Sequence, residues 1–91
     1  MLHLILFGTE GCHLCEEALD RISQALCALD IPVTLQQTDI AGDEALLADF
    51  GVRIPVLRDL LTGHELEWPF DEIQLARFIG TAAANPRQAS A

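Results

Sequence analysis

Residues Leu2 to Phe7 form a continuous run, apolar at every position but His3, that stops at Gly8. Such a run suits a strand covered on both faces, as in the middle of an α/β sheet, and Gly8 and Gly11 bound it too closely for a helix. A chain that contains this strand must supply the elements that cover it. With 91 residues it has to do so within one domain, burying only about 60–65% of its unfolded surface. A hydrophobic content of 51% is enough for one core and excludes disorder of the whole chain.

After a turn over 8–11, helical spacing begins. Leu14, Ala18, Leu19, Ile22, Ala25, Leu26 and Leu29 recur on one face, which predicts a helix from about Cys12 to Leu29. Glu16, Glu17, Asp20, Arg21 and Gln24 take the other side, and Pro32 blocks continuation. Val33 to Thr38 alternates and is β-branched, so strand, helix and strand predict a right-handed crossover between parallel strands. Asp43 to Phe50 reads as a short helix with Leu46, Leu47 and Phe50 inward and Gly51 as its stop. Pro55 to Leu60 and His64 to Trp68, joined by Thr62-Gly63, read as a hairpin. A closing helix spans about 71–82. Asp71 caps it, Gln74 completes a capping box, Phe70 staples onto Leu75, and Ile73, Ala76, Phe78 and Ile79 extend its apolar face. Residues 1–82 make the domain, and 83–91 are expected to be a flexible tail.

Charge narrows the partners. The net charge is −9, and all five basic residues are arginines scattered along the chain. A nucleic-acid backbone or an anionic membrane surface would need a basic stripe, so neither is an expected partner. No segment reaches the roughly 18 apolar residues of a membrane span. The opening apolar run lacks a basic leader and is too short for a signal peptide, and three cysteines do not suit a disulfide framework. The expectation is a cytoplasmic monomer.

The pair Cys12-His13-Leu14-Cys15 lies where the first strand gives way to the first helix. A C-x-x-C alone serves zinc, iron–sulfur clusters and redox chemistry alike. Its position at a helix start is more informative. Unpaired N–H groups and the helix dipole favour a thiolate there, and one helical turn brings the second thiol within disulfide reach. Cys12 would attack a substrate disulfide and Cys15, further in, would resolve the mixed disulfide. Glu10, Glu16 and Glu17 oppose thiolate formation, while a charged His13 would assist it.

Two stretches, Leu6-Phe7-Gly8-Thr9-Glu10-Gly11-Cys12-His13-Leu14-Cys15-Glu16 and Gly51-Val52-Arg53-Ile54-Pro55-Val56, resemble the thioredoxin superfamily and, within it, the glutaredoxin-like proteins of bacteria. The resemblance covers about residues 2–82. It implies an α/β thioredoxin-like fold with a four-stranded mixed sheet, order 2-1-3-4, flanked by three helices. The third and fourth strands would run antiparallel to their neighbours. It implies a thiol–disulfide oxidoreductase with Cys12 and Cys15 catalytic and with His13, Leu14, Arg53, Ile54 and Pro55 binding the substrate. Pro55 would be cis, leaving the Ile54 N–H and C=O for a substrate backbone. The implied partners are a disulfide-containing protein or a glutathione mixed disulfide. No cofactor or metal is expected to be bound, and glutathione enters as a co-substrate. Glutathione-binding members place a basic residue before the dithiol and a glycine pair with an acid after the last strand. This chain has Gly8-Thr9-Glu10-Gly11 and Glu67-Trp68-Pro69-Phe70-Asp71-Glu72 at those places.

Two readings from other classes stand beside this one: a redox-inactive thioredoxin-fold binding module, and a dimeric iron–sulfur cluster carrier. A zinc site would need His64 or Cys27 to join Cys12, His13 and Cys15. Cys27 lies about 18 Å further along the same helix and is expected to be half-buried and structural. His3 reads as structural, His64 as solvated, and Trp68 as core or as a border of the substrate groove. Arg53 is left between a substrate carboxylate and Asp49.

Overall fold

The computed structural model describes residues 2–84. The chain runs β1 (Leu2–Gly8), α1 (His13–Leu29), β2 (Val33–Asp39), α2 (Glu44–Phe50), β3 (Val56–Asp59), β4 (Glu65–Glu67) and α3 (Glu72–Ala83). The four strands form one sheet in the order β2-β1-β3-β4. β1 pairs in parallel with β2 from Leu2↔Val33 to Gly8↔Asp39. It pairs antiparallel with β3 from Leu4↔Asp59 to Phe7↔Val56, and β3 pairs antiparallel with β4. This is the expected mixed sheet with three helices.

Alternation along β1 divides the core. Leu2, Leu4 and Leu6 face α1 and α3, where they pack with Ala18, Ile22, Leu57, Phe70, Leu75, Ile79 and Ala82. The other face is smaller: Phe7, Val56, Ile40 and Phe50 of α2 are buried there, with Ile5, Leu46 and Ile54 against them. The Phe7 and Phe50 rings stack at 4.3 Å. α2 has seven residues and covers only the end of this face nearest the dithiol loop. β1 is therefore not covered on both faces throughout, since His3 is exposed and Ile5 is half-buried. Beyond α2 the face is closed by charge. Arg58 pairs with Glu65, and its guanidinium lies 5.4 Å from the Phe7 ring and 5.3 Å from the Phe50 ring.

The helix ends follow local chemistry. Asp71 accepts from the Gln74 backbone at 2.8 Å while the Gln74 side chain accepts from the Asp71 N–H at 2.9 Å, the reciprocal capping box. Asp43 caps α2 through the Ala45 and Leu46 N–H groups. α1 stops before Pro32, at Asp30, which takes the left-handed conformation (φ 52°) tolerated by short polar side chains. Several apolar side chains depart from the expected inward set. Leu14 (46% exposed) and Leu29 lie at the two ends of α1. Leu47 of α2 is exposed, and Ile73 of α3 (65% exposed) lies away from the helix face that buries Leu75, Ile79 and Ala82. Cys27 is exposed instead of half-buried. Residues 85–91 of the expected tail lie outside the described residues.

Candidate functional site

The site begins with a sulfur at a helix start. Gly11 (φ 78°) turns the chain in a region open to glycine, and the Cys12 N–H donates to the Thr9 carbonyl at 3.2 Å. Cys12 then stands as the N-cap of α1. Its Sγ accepts from the Cys15 N–H at 3.2 Å, the bond that an oxygen makes at most helix starts. One turn on, Cys15 is bonded to Cys12 as a disulfide, the Cα atoms 5.2 Å apart. That spacing is ordinary for a disulfide, so the helix start accommodates the bond without unwinding. Both residues are half-buried. The same N–H and helix dipole that hold the sulfur would stabilise a thiolate once the bond is reduced. A cysteine pair so placed fits a C-x-x-C redox role.

His13 and Leu14 occupy the first turn and face solvent. His13 directs its two ring nitrogens toward Glu16 (3.8 Å) and Glu17 (3.7 Å) on its own helix. The Ile54–Pro55 loop reaches the site through sheet register. Phe7 pairs with Val56, so Pro55 follows opposite Gly8 at the end of the sheet that carries the dithiol. The Ile54–Pro55 and Trp68–Pro69 bonds are both cis. Pro55 is buried, and its carbonyl accepts from the Trp68 N–H at 3.1 Å. The Ile54 N–H does not stay open as expected; it donates to the Phe50 carbonyl at 3.1 Å, where the chain leaving α2 is still curled.

Arg53 is tied to α2 and β4. Its guanidinium binds Asp49 at 3.0 Å, Glu67 at 2.6 Å and Glu65, and lies 5.0 Å from the Phe50 ring. All three guanidinium nitrogens are thus held by carboxylates of the protein itself. Hydrogen bonds to Glu65 and then Glu67 raise its pKa further above the ordinary arginine value. Burial pushes the Glu65 carboxyl up, but hydrogen bonds from Arg53 and Arg58 outweigh it and hold the group below its ordinary value. Asp71 is occupied by the α3 cap. Trp68 is half-buried against the core, edge-on to Phe70 at 5.1 Å, with Arg21 lying 5.5 Å from its ring.

Sequence reasoning missed the other side of the dithiol. A cavity of about 310 Å³ is lined by Leu6, Gly8, Thr9, Glu10, Cys15, Gln37, Thr38 and Asp39. It opens where β1 and β2 end side by side, a proximity that only strand pairing creates. The one readable signal was Gly8, a glycine closing an otherwise apolar strand. Among the described residues, no three His, Cys, Asp or Glu side chains gather as a metal-holding group, and no helix is long and apolar enough to cross a membrane.

The family model described as Glutaredoxin-like domain (DUF836) matches residues 3–80. Among solved structures, the chain is similar to protein XcR50 from X. campestris, with 37% identity, a TM-score of 0.75, and coverage of 87% of this chain and 97% of that one. It is similar to protein Ne2328 from Nitrosomonas europaea at 29% identity and a TM-score of 0.68, covering 85% of this chain and 89% of that one. Thioredoxin 1 from Thermosipho africanus shares the fold, at 16% identity and a TM-score of 0.50, covering 87% of this chain and 96% of that one. A comparison with curated proteins finds no match.

Proposed function

The chain belongs to the glutaredoxin-like domain family, and from that premise we propose that it is a thiol–disulfide oxidoreductase in which Cys12 attacks and Cys15 resolves. The observation that carries the reading is the Cys12–Cys15 disulfide across the first turn of α1, with Cys12 Sγ on the Cys15 N–H. In the first step the Cys12 thiolate bonds to one sulfur of a substrate disulfide. The substrate S–S bond breaks, and the departing thiolate takes up a proton. In the second step the Cys15 thiolate bonds to the Cys12 sulfur, the Cys12–substrate bond breaks, and the second substrate thiol leaves. Two electrons pass from the dithiol to the substrate, and an external thiol donor returns them.

The substrate is a disulfide-bearing protein or a glutathione mixed disulfide, met by a monomer in a reducing cytoplasm. His13 and Leu14 border it on one side and the Ile54–Pro55 loop on the other, with the Ile54 carbonyl as the backbone group offered to it. Arg53 serves by holding that loop between α2 and β4. The test is reduction of insulin and of a glutathione mixed disulfide by the pre-reduced protein, with Cys12→Ser and Cys15→Ser beside it. The reading expects turnover with the wild type, none with Cys12→Ser, and a trapped mixed disulfide on Cys12 with Cys15→Ser. A protein that cannot form a 12–15 disulfide, or whose turnover survives Cys12→Ser, contradicts it.

A further inference from the structure

Gly8 closes β1 and is buried. Its backbone is extended strand, open to any residue, so conformational freedom does not explain a glycine there. Space does. A Cβ added to Gly8 would lie 2.8 Å from Cys15 Sγ and 3.2 Å from Cys15 Cβ, and these are the contacts it would meet. At Gly11, Gly42, Gly63 and Gly80 an added Cβ would meet nothing within 4 Å. The crowding at Gly8 comes from the side chain of Cys15, chiefly its sulfur.

We infer that Gly8 is a positioning residue for the exchange: its missing side chain leaves the place from which Cys15 Sγ reaches Cys12. This rests on the reading of the pair as the reacting dithiol. The two redox states respond differently to a methyl group at position 8. A free Cys15 thiol can turn to another rotamer and avoid it. A sulfur bonded to Cys12 cannot, because disulfide geometry fixes both partners. Gly8→Ala therefore penalises the disulfide more than the dithiol. It hinders the resolving step, in which the Cys15–Cys12 bond forms as the Cys12–substrate bond breaks.

The experiment equilibrates wild type and Gly8→Ala with glutathione buffers and counts free thiols by alkylation and mass. The equilibrium constant for forming the 12–15 disulfide should fall about tenfold in Gly8→Ala, the scale of an overpacked site. The Cys12 mixed disulfide with glutathione should persist correspondingly longer. Thermal unfolding supplies a second arm: Gly8→Ala should cost stability in the oxidised wild type and much less in a Cys15→Ala background. An unchanged disulfide equilibrium, or equal loss of stability in both backgrounds, overturns the inference. Should Gly8→Ala alone not fold, recovery of the fold by Cys15→Ala supports it, and failure to recover overturns it. Absence of any 12–15 disulfide in the wild type refutes the redox reading itself, a different result from either.

Discussion

A sulfur atom caps the helix that carries the dithiol, and this use of Cys12 ties the sulfur to backbone geometry at one residue. The N–H that it accepts belongs to Cys15, so the second cysteine of the pair also helps to fix the first. The spacing of the two cysteines and the start of helical periodicity made this legible in the sequence. The room that Cys15 occupies was not, because Gly8 and Cys15 are brought together by the packing of α1 on β1 and by nothing local. Burial at single positions was legible only in part. Ile22 and Ile79 have no exposed surface, and Leu14, which satisfies the same periodicity along α1, stands in solvent. Periodicity names a face of a helix; how far the opposing layer extends decides which residues on that face are covered. Ile22→Ala should therefore lower stability by roughly 2–5 kcal/mol in chemical denaturation. Ile73→Ala should stay within about 0.5 kcal/mol of wild type.

At the scale of elements, the most legible features were those closed by short-range chemistry. The reciprocal bonds of Asp71 and Gln74 follow from a spacing of three residues and need no tertiary partner. Asp71→Ala should cost about 1 kcal/mol of stability, read from the denaturation midpoint at unchanged slope, with disulfide exchange retained. The turn after β3 is held in a similar way. Buried Asp59 accepts from the Leu61 N–H at 3.1 Å and from the Thr62 hydroxyl at 2.8 Å, and Gly63 supplies the left-handed residue. The strands were less well bounded: β3 and β4 span Val56–Asp59 and Glu65–Glu67, shorter than alternation alone suggests. A strand ends where its neighbour stops offering hydrogen bonds, and that depends on a distant segment.

At the scale of the whole molecule, the two faces of the sheet are stabilised differently. One is an apolar layer under α1 and α3. The other is apolar only beneath α2 and is completed by Arg53, Arg58, Glu65, Glu67 and Asp49. This network makes stability depend on acid. The Glu65 carboxyl is held below its ordinary value of 4.5 in the folded protein. Its contribution is therefore fully present above that value and is lost as the pH falls through the lower, folded-state one. Glu65→Gln should flatten the decline in thermal midpoint on acidification below about pH 4.5, measured against wild type at fixed ionic strength. An equal decline in both proteins would assign the acid sensitivity to other carboxylates. The sequence by itself determined the order of elements, the helix starts and the place of the dithiol, because these follow from periodicity, capping and side-chain type within a few residues. Only the tertiary structure decided what surrounds the dithiol. It set Val56, next to Pro55, opposite Phe7, placed Gln37, Thr38 and Asp39 in one cavity with Cys15, and bound Arg53 to three carboxylates. The physical reason is that strand pairing and helix packing set these distances between residues far apart in the chain.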